Sequence, residues 1–237
     1  LPIEKACPIY WGDLNGDGFS DIMLAGKNGG VFLNDGSGAF IKKASDMDVF
    51  LTNRGPYLLR AFRADFDNDG DFDFVMGNPR KNYSSIYENI GDGTFTLYKK
   101  MGSWDSNSNV ICDINNDGLL DVLLGAPGGH KSTDIHIYIN KTNSLKQAAM
   151  IKTRMAKPNV YAVGSEIRIS TGEELLLHTK SSVDGQMISF GLGDKAAFDV
   201  EIKYPNGKLV KKSGLKPGLV HVIAEDGNLT SVSPASE

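Results

Sequence analysis

A chain of 237 residues, 41% hydrophobic and 23% charged, can bury one or two cores and has the balance of an ordinary globular protein. Its formal net charge of −4 leaves no general basic surface, which argues against nucleic acid as a partner. No apolar run approaches the ~20 residues of a membrane span, and two cysteines do not make a disulfide scaffold.

In chain order the first informative stretch is Asp13-Leu14-Asn15-Gly16-Asp17-Gly18-Phe19-Ser20-Asp21. The pattern returns as Asp65-Phe66-Asp67-Asn68-Asp69-Gly70-Asp71-Phe72-Asp73 and as Asp113-Ile114-Asn115-Asn116-Asp117-Gly118-Leu119-Leu120-Asp121. The central copy places five aspartates on alternate residues. Like charges this close repel, so a folded chain keeps them together only around a cation. Carboxylate and carbonyl oxygens at this density suit a hard divalent ion, calcium first and magnesium second. Positions 1, 3, 5 and 9 are the candidate side-chain ligands: Asp13, Asn15, Asp17 and Asp21; Asp65, Asp67, Asp69 and Asp73; Asp113, Asn115, Asp117 and Asp121. Position 7 varies (Phe19, Asp71, Leu119), as expected where a backbone carbonyl binds. Gly18, Gly70 and Gly118 at position 6 predict a sharp turn with positive φ. The reading implies three calcium sites.

An EF-hand loop begins similarly but needs a bidentate Glu at position 12 and flanking helices. Position 12 here is Leu24, Met76 or Leu124. Each loop runs instead into a short apolar segment ending in Gly, which predicts a strand buried on both faces. The loops are therefore predicted to lie between β-strands.

The loops start 52 and then 48 residues apart, near the length of a propeller blade. After each buried strand comes another: Val31 to Asn34, Ser85 to Asn89, Ile135 to Asn140. In the first two units a Gly turn then ends in Phe (Asp35 to Phe40, Ile90 to Phe95), whereas the third reads Lys141-Thr142-Asn143-Ser144, as a terminal repeat would. Over about residues 6–143 these units resemble FG-GAP/VCBS repeats, the calcium-binding blades of integrin-type β-propellers, through their D-x-[DN]-x-D-G-x-x-D loop and Y-x-N-x-G-x-G-x-F end. The resemblance implies one Ca²⁺ per loop. Closed propellers have at least four blades, so three imply an open arc, a combination of chains, or further blades outside this sequence.

From about residue 147 alternating strands take over. Phe198 to Tyr204 alternates apolar and charged residues, a strand with one wet face, and Pro205-Asn206-Gly207 supplies a turn. Ile167 and Ile169, then Val220, Val222 and Ala224, repeat the theme and predict a small β-sandwich. Val163 to Ile169, Phe190 to Gly193, and Val200 to Gly207 resemble the ASPIC/UnbV domain, although Ser181 to Met187 departs from it. That family implies no clear biochemical activity. The expected organisation is all-β: three propeller-type calcium-binding blades (1–146), a β-sandwich (147–227), and a flexible tail (228–237).

Chemistry outside the loops is sparse. His130, His136, His178 and His221 share no motif, and no nucleophile–base pairing stands out. Tyr10 and Trp11, just ahead of loop one, are expected to pack on neighbouring strands, whereas Trp104 in a polar connection is the candidate ligand-binding residue. Lys203, Lys208, Lys211, Lys212 and Lys216 could meet an acidic partner, but lysines also protect strand edges. Cys7 and Cys112 belong to different repeats and are read as separate buried thiols, with a bridge closing the arc as the other possibility. The chain starts at Leu1 without an initiator Met, as a processed form or a fragment would. Calcium loops favour the cell exterior, where even weak sites of roughly 10⁻⁴ to 10⁻³ M fill. Asn82, Asn140 and Asn228 head glycosylation sequons that matter in a eukaryotic source.

Together these readings predict a secreted, non-catalytic, calcium-binding adhesion or assembly module. Its partner would be an extracellular protein or glycan, with self-association into an extracellular structure expected. The other classes are a calcium-dependent lectin and a propeller-type enzyme such as a lyase.

Overall fold

The computed structural model describes residues 9–24, 29–43, 61–78, 83–102, 109–115, 117–125, 135–142, 147–172, 174–180 and 187–234. Cys7, Tyr57, Asn82, Trp104 and His130 lie outside them. The chain is all-β and divides into two compact units, the first comprising 1–66, 71–112 and 121–140, the second 67–70, 113–120 and 141–237. The boundary at 140 falls somewhat before the expected 146, and the tips of two acidic loops group with the second unit.

The first unit has β-propeller-type architecture, built from antiparallel meanders. One sheet orders β1 (Ile9–Gly12), β2 (Asp21–Leu24), β3 (Gly30–Asn34) and β4 (Phe40–Lys43). The next repeats this with β5 (Ala61–Ala64), β6 (Asp73–Asn78), β7 (Tyr83–Asn89) and β8 (Phe95–Gly102). The third, three-stranded among the described residues, contains β9 (Asn109–Cys112), β10 (Asp121–Leu124) and β11 (His136–Tyr138). Each acidic loop joins the first two strands of its sheet, and Leu24, Met76 and Leu124 are buried strand residues. That apolar position 12 packs into the core, which is why no EF-hand forms here.

The predicted Gly turns close on Asp35 N–H to Ala39 O (3.1 Å) and Ile90 N–H to Thr94 O (3.1 Å). One cluster joins the first two sheets: Leu14, Met23 and Val31 against Phe74, Met76, Tyr87 and Phe95, with Tyr10 alongside. Tyr10 stands edge-on to Phe74, with centroids 4.9 Å apart, and its hydroxyl accepts a bond from Arg63 Nη1 (2.7 Å). It packs as expected. Alternation along β1 turns Trp11 to the opposite face, where it is 58% exposed and its ring meets Phe40 of β4 at 6.1 Å. Lys43 Nζ reaches Asp92 Oδ2 (2.9 Å), and the Thr94 hydroxyl together with Lys43 holds that carboxyl down at about 2.

The second unit has two four-stranded sheets. One contains β13 (Glu166–Thr171), β14 (Glu174–Lys180), β16 (Phe198–Lys203) and β17 (Leu209–Leu215) in the order β14-β13-β16-β17. The other contains β12 (Ala148–Arg154), β15 (Ile188–Gly191), β18 (Val220–Ala224) and β19 (Leu229–Val232) in the order β15-β12-β18-β19. In the latter β12 runs parallel to β18.

The alternation forecast for Phe198 to Tyr204 holds, with Phe198, Val200 and Ile202 buried. Lys211 and Lys212 lie on β17, an outer strand, and Lys211 pairs with Glu201. Expectation and structure differ at the tail. Residues 229–232 are not loose but form β19, whose Val232 pairs with Val220 and packs on the cluster of Ala148, Met150 and Val220. Val232 is the residue that packs, while Leu229 stays 38% exposed and Ser231 Oγ bonds His221 Nδ1 (2.8 Å).

Side chains of the two sheets meet among the described residues. Phe198 meets His221 edge-on (5.5 Å), and the buried Tyr204 hydroxyl donates to Ile223 O (2.7 Å). Burial pushes the Tyr204 phenol well above its usual range. Tyr204→Phe is expected to destabilise the unit by about 1–3 kcal/mol through an unsatisfied buried acceptor. A urea melt with an unchanged midpoint would deny the bond that weight.

Candidate metal centre

The three loops share a backbone scaffold. Gly18, Gly70 and Gly118 have φ of 86°, 102° and 88°, the left-handed turn that position 6 requires. At position 1, Asp13 accepts N–H bonds from Gly16 and Gly18 (both 2.8 Å), and Asp113 from Asp117 (3.1 Å) and Gly118 (2.8 Å). At position 5, Asp17 accepts from Phe19 N–H and Asp117 from Leu119 N–H. Phe19 and Leu119 thus occupy matching places at position 7.

Position 9 is different in kind. Asp21, Asp73 and Asp121 open β2, β6 and β10 and are buried. Asp21 Oδ2 accepts Leu14 N–H and Oδ1 accepts Asn34 N–H, each at 2.8 Å. Asp73 repeats this with Phe66 (2.9 Å) and Asn89 (2.8 Å), and Asp121 accepts Asn140 N–H (2.7 Å). Each carboxylate therefore straps the start of its loop or the end of a later strand to the sheet. Burial pushes the Asp21 carboxyl above its usual value, backbone bonds from Asn34 and Leu14 oppose this, and Asp17 and Asp13 add to the rise.

Position 3 separates the loops. In loop one Asn15 Nδ2 donates to Asp17 Oδ2 (2.8 Å), and in loop three Asn115 Nδ2 donates to Asp117 Oδ2 (2.8 Å). An amide at position 3 thereby quiets the carboxylate at position 5. Loop two has Asp67 there, which has no proton to donate when ionised. Among the described residues, a cluster of three carboxylates with ligand oxygens all within 4.8 Å of one another occurs at Asp65, Asp67 and Asp73.

Oxygens sharing one Ca²⁺ at 2.3–2.6 Å can lie no farther apart than about 5.2 Å, so the cluster fits such an ion. The same loop holds Asn68, buried in a left-handed conformation (φ 59°), whose Oδ1 is buried without a hydrogen-bond partner. The donor set is all oxygen, the chemistry calcium takes. Asp65, Asp67 and Asp73 would hold it, and the ion would supply compensating charge. Asp69 and Asp71 are half-buried in the same loop and fall outside that tight triad. In loops one and three the carboxylates do not gather in this way.

The residues that the sequence motif did not single out are Asn34, Asn89 and Asn140. Each lies at or just beyond the end of a third strand and binds the position-9 aspartate of its own sheet, 13, 16 and 19 residues back. The recurring Asn of the blade end was the available signal.

An FG-GAP-like repeat family model matches residues 65–124, from the first aspartate of loop two to the last residue of β10. Among solved structures the chain is similar to one described as the basis of specific recognition of non-reducing terminal N-acetylglucosamine by an Agrocybe aegerita lectin. That match has 17% identity and a TM-score of 0.42, and covers 98% of this chain and 67% of the other.

Proposed function

We propose that this chain is a non-catalytic, calcium-stabilised binding module of the cell exterior, with three propeller-type blades followed by a small β-sandwich. The observation that carries the reading is the gathering of Asp65, Asp67 and Asp73 at the mouth of a buried strand, inside a stretch matching the FG-GAP-like repeat model. Carboxylates packed like this serve stability when a cation joins them, and they are poor bases when it does. Asp73 and Asp67 also accept backbone N–H groups, which suits scaffolding better than proton transfer. Loops one and three, at Asp13 to Asp21 and Asp113 to Asp121, complete a set of three sites. In these, Asn15 and Asn115, whose Oδ1 atoms accept the Asp17 and Asp117 N–H groups (3.3 and 3.1 Å), would offer oxygen in place of a carboxylate.

The role is adhesion or assembly, with an extracellular protein or glycan as partner and Trp104 as a contact residue. Self-association is favoured by β11, an outer strand of its sheet among the described residues, where Ile137 is 55% exposed and Ile135, just ahead of it, 67%. Among the described residues no helix is long and apolar enough to cross a membrane.

The test joins calcium calorimetry with molar mass by light scattering. The wild-type chain should bind calcium with a stoichiometry near three, and Asp67→Ala, which removes the position-3 oxygen altogether, should lose one ion. Mass should fall when chelator is added. Absence of calcium binding overturns the module's chemistry, and a monomer in both conditions overturns calcium-gated assembly while leaving the sites intact.

A further inference from the structure

The straps at position 9 do not stop at their own sheets. Asn140 N–H donates to Asp121 Oδ1 (2.7 Å), and its side-chain Nδ2 donates to Phe66 O, position 2 of loop two, at 2.7 Å. Phe66 N–H donates to Asp73 Oδ2 (2.9 Å), whose Oδ1 accepts Asn89 N–H (2.8 Å). Asn89 Nδ2 then donates to Leu14 O, position 2 of loop one, at 2.9 Å. Leu14 N–H donates to Asp21 Oδ2 and Asn34 N–H to Asp21 Oδ1, both at 2.8 Å. The series ends where Asn34 Nδ2 turns back to Ser20 O in its own loop (3.2 Å). Every residue named lies in the first unit.

Thus Asn89 and Asn140 each grip their own loop through the backbone and the preceding loop through the side chain. Asn89 is buried, as are Asp73 and Asp21, so water is poorly placed to replace these bonds. The turn at Gly91, whose N–H donates to Asn89 Oδ1 (3.1 Å), holds the amide in orientation.

We propose that Asn89 and Asn140 are positioning residues that couple the three cation loops, so that filling one raises the affinity of its neighbour. The inference rests on the calcium reading above. A cation that fixes Asp73 also fixes Asn89 and, through its amide, the entry to loop one. The next ion then finds part of its ordering already done. Linkage makes the effect mutual, and coupling of this kind is typically about five-fold or more in affinity. Asn34 has no such effect, because its amide stays within its own loop.

The test uses the full chain with Trp104→Phe and reads terbium luminescence sensitised by Trp11, two residues ahead of Asp13. Asp67→Ala should weaken loop-one terbium affinity about five-fold or more. Asn89→Ala should weaken it similarly and abolish any further effect of Asp67→Ala, whereas in Asn140→Ala that effect should persist. A loop-one affinity indifferent to Asp67→Ala overturns the coupling, and a dependence surviving Asn89→Ala overturns the role of Asn89. No luminescence in any variant overturns the calcium reading, and the coupling with it.

Should Asn89→Ala fail to fold, hydrogen exchange without that substitution decides. Calcium should slow exchange at Leu14 in wild-type protein markedly more than in Asp67→Ala. Equal slowing overturns the proposal.

Discussion

Asp73→Ala is expected to destabilise the first unit in calcium and in chelator alike, whereas Asp67→Ala should do so in calcium only. The two carboxylates share a cluster but not a job. Asp73 accepts the buried N–H groups of Phe66 and Asn89, and removing it leaves two donors unsatisfied. At about 1–3 kcal/mol each, the loss is about 2–6 kcal/mol with no ion present. Asp67 accepts the Asp69 N–H at a longer 3.2 Å and a half-buried position, where water can take its place. In chelator its substitution removes one like charge from the triad, so stability should hold or rise. Paired melts of the two variants, with and without calcium, check this. If Asp73→Ala were neutral in chelator, the strap would have no structural weight.

Phe74→Ala is expected to cost about 3–5 kcal/mol, the range for deleting a buried aromatic ring. Phe74 is fully buried, meets Tyr10 at 4.9 Å and Phe95 at 5.3 Å, and sits in the cluster that joins the first two sheets. The cavity would open where neighbours from both sheets converge and cannot all relax. Urea unfolding of the variant measures it, and a loss under about 1 kcal/mol would show that the site collapses freely. Trp11→Ala, by contrast, removes a mostly exposed ring and should change stability little.

The acidic loops were legible because their chemistry is local. Nine residues carry the ligands, the turn glycine and the first buried strand residue, and the positive φ at Gly18, Gly70 and Gly118 follows from that spacing. Strand identity was legible wherever burial is one-sided, as in Phe198 to Lys203. Three features were not. The asparagine bridges join residues 74 and 75 positions apart, and no periodicity encodes a partner at that range. The parallel pairing of β12 with β18 depends on how the intervening sheet folds away between them. Leu229 to Val232 carries too little apolar character to announce itself, and its strand exists because β18 offers an edge. The difference between loop two and its neighbours was present as Asp67 against Asn15 and Asn115. Its meaning emerged only when the two amides were seen bonded to Asp17 and Asp117.

The way Asn34 folds back bears on how such arrays grow. Its amide does in a makeshift manner what Asn89 and Asn140 do across a joint, with a longer bond to Ser20 O. A unit grafted ahead of the first sheet would need to present one backbone carbonyl there to be stitched in like the others. Duplication of a repeat brings that carbonyl with it. The joint is therefore inherited whole with each copy, and the array can lengthen by gene duplication without a new interface having to evolve.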